Sequence, residues 1–256
     1  METQLEDLQI VVVESPADTW EHPLVPDLFR DMIGVKLRGY GREYPYGVLA
    51  VDGSDLISSH LLLCRKEKAS GSLRPIMGMR WTSHVKCRAH FMKFPGLSLF
   101  EQAGVSEHVD ALKEVLRAAD SRGIEVFYAG SFTIEPSERR DKAHSIFFRE
   151  ILTLMFVNYQ MDHPGSELMA GGTIRFKMDK YIERLGYEPF QWNGRKLGPI
   201  QVRHLAGEAV HVMHLRKFSF EARQTAAKWE QLWQERLWIR KENAVNLNAG
   251  AAKRAG

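Results

Sequence analysis

Apolar residues recur along the chain at two spacings, and the switch between them marks out strands and helices. Gln9-Ile10-Val11-Val12-Val13 forms a strand-like run, and Glu21-His22-Pro23 marks a loop, because proline restricts the residue before it. Over residues 25–38, Leu28, Phe29, Met32, Ile33 and Val35 stand near helical spacing behind an early Pro26, which predicts a helix. The stretch 39–47, rich in glycine and tyrosine, predicts a loop that ends it. Apolar runs at 59–64 and 75–82, with a polar connection containing Gly71 between them, predict a hairpin, and residues 84–100, with Phe94-Pro95-Gly96, read as a connection.

Val109, Leu112, Val115, Leu116 and Ala119 define an amphipathic helix over 107–121, stopped by Gly123, and a strand over 124–134 follows. A long helix opens at Ser137 or Glu138, carries Ile146, Phe147, Ile151, Leu154, Met155 and Phe156, and ends at Asp162-His163-Pro164-Gly165-Ser166. A short strand at 168–170, a helix at 173–185 closed by Gly186, strands at 187–192 and 209–215, and a last helix at 218–241 complete the pattern. This order predicts an α/β fold with a central mixed sheet flanked by helices. It places one domain at 1–217, an extra C-terminal helix at 218–242 and a disordered tail at 243–256.

Composition narrows the function classes. At 256 residues and 44% hydrophobic, the chain is long enough for one sizeable core and is neither collagen-like nor disordered. No apolar run approaches the roughly 20 residues of a transmembrane helix. The acidic start and two cysteines point to the cytoplasm. With 35 basic and 32 acidic residues, the near-neutral balance argues against nucleic acid as the main partner. Basic residues do cluster at Arg139, Arg140, Lys142 and Arg149, which reads either as a solvated face or as a surface for an acidic ligand.

The strand 126–134 followed by Pro136-Ser137-Glu138-Arg139-Arg140-Asp141-Lys142-Ala143-His144-Ser145 and a helix resembles the core of GNAT acyltransferases, and Met178 to Tyr187 is similar to the helix-then-strand ending of that core. The resemblance implies that Arg139, Arg140, Lys142, Ala143 and Ser145 surround the pyrophosphate of coenzyme A or a phosphopantetheine arm, at a helix N-terminus suited to anions. Ala143 and Ser145 stand where the family commonly has glycine or alanine. Ile182, four residues before Gly186, holds the place of the family's general-acid tyrosine, with Tyr181 beside it.

A narrower resemblance spans about 28–215. Asp52-Gly53-Ser54-Asp55, His60-Leu61-Leu62-Leu63, Gly78-Met79-Arg80 and Phe94-Pro95 resemble successive blocks of acyl-homoserine-lactone synthases and long-chain N-acyl amino acid synthases. It implies a fatty acyl group delivered on acyl carrier protein or acyl-CoA, an amino-acid-like acceptor, and no tightly bound cofactor. Where the lactone synthases carry a Glu and an Arg, this strand has Tyr128 or Ala129 and Ser131, and Ala50 replaces a further acidic residue. Those differences point away from the lactone synthases, to an N-acyl amino acid synthase or an unclassified relative. A small-amine acetyltransferase and a non-catalytic acyl-carrier-binding module are the alternatives.

Amide formation from a thioester needs a neutral amine, a polarised carbonyl and a route for one proton. Glu135 reads as an acceptor of that proton or as a carboxylate complementing the next helix dipole. Asp52 and Asp55 read as holders of an ammonium group or as turn residues, with Arg80 as their partner. Gly130 suits a bulge where backbone approaches a ligand. Phe94, Tyr128, Ser131 and Phe132 are expected to contact substrate, and Phe91, Phe94, Phe147 and Met155 to line an acyl tunnel or to pack the core. His84, Cys87 and His90 have metal-ligand spacing but lack a fourth ligand, so no metal is assigned.

Overall fold

The protein is represented by a computed structural model that describes residues 7–44, 47–48, 51–68 and 71–242. Its centre is a nine-stranded mixed sheet built from β1 (Leu8–Val13), β2 (Ser59–Lys66), β3 (Leu73–Ser83), β4 (Val126–Ile134), β5 (Glu167–Thr173), β6 (Tyr187–Pro189), β7 (Ile200–Val202), β8 (Glu208–Leu215) and β9 (Leu237–Ile239). The strand order is β9-β1-β2-β3-β4-β5-β8-β6, with β7 also on β8. β1 with β9 and β4 with β5 are parallel pairs, and the remaining pairs are antiparallel.

Side chains alternate across the sheet, so its two faces carry different helices. Ile10, Val12, Leu61, Leu63, Met77, Met79, Phe127 and Ala129 face α4 (Lys142–Met161), α5 (Met178–Leu185) and α6 (Phe220–Lys228). On the other face, Val11, Val13, Leu62 and Cys64 pack against α1 (Val25–Glu43), and Val126, Tyr128 and Met169 pack against α2 (Pro95–Ala103) and α3 (Ser106–Arg122). Every residue from Ile151 to Tyr159 of α4 is buried, which accounts for the apolar run at 151–157. Among the described residues no helix is long and apolar enough to cross a membrane.

The α/β architecture with a central mixed sheet agrees with the pattern of the sequence, and four local expectations differ. α1 does not stop at Arg38: it runs through Gly39 and Gly41 to Glu43. Gly39 is there for proximity, since a Cβ on it would stand 2.1 Å from Thr133 Oγ1 on β4. The connection 84–100 contains two helices, His84–Ala89 and α2. α4 opens at Lys142, after a 3-10 turn at Pro136–Glu138, because Asp141 caps it by accepting the His144 N–H at 2.9 Å. The helix expected at 173–185 begins only at Met178, because Thr173 still belongs to β5.

The expected helix at 218–241 is divided into α6, a short helix at Glu230–Gln234 and β9. β9 pairs with β1, and Phe218, Ala222, Ala226, Trp229 and Trp233 belong to the same core as the sheet, so 218–242 is not an appendage to a domain at 1–217. The tail at 243–256 and Ala50 lie outside the described residues.

Candidate active site

Two irregularities open the sheet at its centre. β4 and β5 pair from Val126↔Glu167 to Ala129↔Ala170, and the ladder then stops although both strands continue. On the other edge of β4, the register with β3 goes from Arg80↔Gly130 to Gly78↔Thr133, so β4 has one residue too many. Ser131, at φ 53, takes up the excess as a bulge beside Gly130. Ser131 and Phe132 have no registered partner on either neighbouring strand. The backbone there is free to meet a ligand.

A cavity of about 550 Å³ occupies this opening and passes from one face of the sheet to the other. Tyr40, Asp52, Arg80 and Tyr128 line it on the side of α1 and α2. Met79, Leu152, Phe156 and Ile182 line it on the side of α4 and α5. Tyr128, Ser131 and Phe132, expected at the substrate, all line it, whereas Phe94 is buried in the core under α2 and does not. Tyr128 fits because its ring lies against glycines: a Cβ on Gly171 would meet its hydroxyl at 2.5 Å, and one on Gly130 its ring at 3.0 Å. Of the other expected tunnel residues, Phe91 is 99% exposed and Met155 is core.

An ion network, buried at Lys36, Asp55 and Arg80 and open to solvent at Asp52, supports one wall. Arg80 Nη1 and Nη2 donate to the two Asp52 carboxylate oxygens at 3.0 and 3.1 Å, and Arg80 Nη1 is also 3.0 Å from Asp55 Oδ1. Asp55 accepts from Lys36 Nζ at 2.5 Å, and its carbonyl oxygen is 2.6 Å from His60 Nε2. Two carboxylates against Lys36 and Arg80 balance in charge. Burial opposes ionisation of Asp52, but the charge and hydrogen bonds of Arg80, with those of Ser54, outweigh it and bring its pKa down to about 2. Burial lowers Lys36 to about 8 against the pull of Asp55, and lowers His60 to about 4. Lys36 is the member sequence reasoning missed: it stands four residues after Met32 on the buried face of α1, but a lysine is ordinarily read as a solvent residue whatever its spacing.

The other expected residues separate. Glu135 is buried, takes two hydrogen bonds from Arg38 Nε and one from Nη2 at 2.7 Å, and does not line the cavity. That position makes it half of an ion pair joining α1 to the end of β4. Arg139 and Ser145 line the cavity, and Arg139 is ion-paired with Glu43. Arg140 and Ala143 instead line a second, mainly apolar pocket of about 220 Å³ beside Phe147 and Trp229. Lys142 is exposed at the first position of α4 and lines neither space. The turn is therefore not one concerted cradle. Tyr181 lines the main cavity next to Ile182, its hydroxyl 2.8 Å from Thr153 Oγ1, and burial keeps the phenol protonated.

The metal-ligand spacing at His84, Cys87 and His90 does not converge on a site. His84 Nε2 stands 3.4 Å from Asp120, Cys87 is buried, and among the described residues no group of three or more His, Cys, Asp or Glu is placed to hold a metal ion.

No family model and no curated protein matches the chain. Solved structures do. FeeM, an N-acyl amino acid synthase from uncultured soil microbes, is similar at 12% identity and a TM-score of 0.43, over 87% of this chain and 97% of that one. BjaI, a CoA-dependent acyl-homoserine lactone synthase in complex with SAM and isopentyl-CoA, is similar at 15% identity and a TM-score of 0.47, over 90% and 92%. The polyamine N-acetyltransferase of Drosophila melanogaster is similar at 12% identity and a TM-score of 0.41, over 80% and 99%. These are likenesses of outline, and the chemistry of this chain rests on its own side chains.

Proposed function

We propose that the protein is an N-acyltransferase that joins a medium or long acyl group, carried as a thioester on coenzyme A or on the phosphopantetheine of an acyl carrier protein, to the amine of an amino-acid-like acceptor. The observation that carries this reading is the cavity through the sheet at the point where β4 and β5 part. A slender thioester arm can lie between two separating strands and pair with their unused backbone groups, which a ligand resting on a closed sheet cannot do. The free backbone at Ser131 and Phe132 is suited to donate an N–H to the thioester oxygen, where negative charge develops during attack.

The two ends of the cavity suit different partners. Arg139 in the turn before α4, with Ser145 and Arg149 in its first half, suits the anionic end of the donor. Met79, Leu152, Phe156 and Ile182 offer an apolar wall for an acyl chain, and the volume exceeds what an acetyl group fills. On the opposite face, Asp52 remains ionised and its side chain is 60% exposed, so it can attract an ammonium group.

The reading is tested by incubating the protein with acyl-CoA and acyl-carrier donors of graded chain length and pooled amino acids, with amides detected by mass spectrometry. Amides of medium or long chains are expected. Product from acetyl donors alone would replace the reading with a small-amine acetyltransferase, and no product from any donor would overturn it.

A further inference from the structure

We propose that His204 is the base that removes the proton from the acceptor's ammonium group, an assignment that rests on the acyl-transfer reading above. His204 lies in the 3-10 turn Arg203–Leu205 that follows β7, and its ring lines the main cavity between Val202 and Leu205, within electrostatic reach of Asp52 and Arg80. It therefore looks onto the same end of the cavity as the carboxylate suited to attract the amine.

The other lining groups are unsuited to accept a proton. Asp52 is committed to Arg80, and a carboxylate held at about 2 is too weak a base for an ammonium ion. Glu43 is ion-paired with Arg139, and Glu135 lies outside the cavity on Arg38. Tyr40, Tyr44, Tyr128 and Tyr181 are phenols whose pKa burial raises, so they stay protonated at neutral pH. Arg80, Arg139 and Arg149 are cations. Across from the turn, α2 contributes only uncharged Pro95, Ser98, Leu99 and Gln102. Among the described residues His204 is the one imidazole on the cavity wall.

Its surroundings keep it in the basic form. His204 is exposed on its solvent side, and the side that the cavity wall covers lowers its pKa; Asp52 pulls the other way and Arg80 adds to the lowering. The net shift is downward, which favours the uncharged ring with one nitrogen lone pair free to take a proton. Asp52 and His204 thus divide two tasks that conflict in a single group, attracting a cation and then deprotonating it.

The step balances as follows. His204 takes one proton from R–NH3+ and becomes imidazolium, and the amine nitrogen bonds to the thioester carbonyl carbon. The C–S bond then breaks, and the second proton lost by nitrogen passes to the departing sulfur, which leaves as a thiol. Imidazolium returns its proton to water through the open cavity.

The test compares wild type, His204→Gln and His204→Ala across pH, with the neighbouring Arg203→Ala as control. Both His204 variants are expected to lose about 100-fold or more in kcat at pH 7, with the donor KM unchanged and the remaining rate rising with pH as free amine accumulates. Added imidazole is expected to restore part of the rate to His204→Ala. Imidazole carbon NMR of the wild type is expected to show His204 titrating below pH 6.5, a readout that does not depend on the variants folding. Product formed by wild type but undiminished in the variants, or a His204 titration above pH 7, would overturn the assignment alone. No amide from wild type with any donor would overturn both it and the acyl-transfer reading.

Discussion

Lys36 carries a charge on the buried face of α1, four residues after Met32, and the fold pairs it there with Asp55. Its removal leaves Asp55 to Arg80 alone, so Lys36→Met is expected to cost about 3 kcal/mol, the low end for breaking a buried ion pair. A loss under about 1 kcal/mol in urea denaturation would remove Lys36 from the support of this wall. His60 contributes differently. Because burial holds its folded pKa near 4 against 6.5 in the unfolded chain, the unfolded state binds the extra proton first as pH falls. Stability is expected to decline from about pH 6.5 to pH 4, by up to about 3 kcal/mol, and His60→Gln is expected to flatten that part of the urea-midpoint profile. Asp52, lowered to about 2, adds a second loss between about pH 4 and 2. The residues of the wall were legible as types, since Asp52, Asp55 and Arg80 stand out in sequence, but Glu135 was not. Its carboxylate at a strand end looks free until α1 delivers Arg38 to it across 97 residues.

At the scale of elements, the site depends on the relation between α1 and β4. Gly39 lets the helix lie directly on Thr133, two residues beyond the Ser131 bulge. Gly39→Ala is expected to destabilise the protein by about 1–3 kcal/mol through overpacking. Gly39→Ala combined with Thr133→Ala, which removes the opposing oxygen, is expected to recover most of that loss in thermal melts. Equal destabilisation of the single and double variants would show that the contact is not what selects glycine. Sequence reasoning takes glycine after a helical stretch as a stop signal, and locally that is sound. Here close approach to a distant strand selects the glycine, and the helix continues through it. The parting of β4 from β5 is only hinted at in sequence: Gly130 suits a bulge and Gly171 and Gly172 interrupt the apolar run after Ala170, but neither says which neighbouring strand is lost.

For the whole molecule, residues 218–242 are structural. β9 extends the sheet at β1, Trp229 and Trp233 join the core of α4, and Arg236 and Arg240 stack on Trp238. A chain ending at Lys217 is expected to lack cooperative unfolding and to be largely insoluble, because it uncovers both the β1 edge and the apolar face of α4. A soluble truncation with a sharp melt would show that residues 218–242 are dispensable. Apolar spacing and turn residues alone determined most of the succession of strands and helices up to residue 217, the α/β class, the central mixed sheet and the candidate Asp52, Asp55 and Arg80 cluster, since these follow from periodicity and from the cost of an unpaired charge in an apolar strand. Tertiary structure alone decided that β9 is a strand, that the sheet opens at Ala129 and Ala170, that Arg139 and Arg140 face different pockets, and that His204 lines the same cavity as Asp52. Each of those depends on a contact between segments far apart in sequence, and the spacing of residues along a chain carries no measure of that distance.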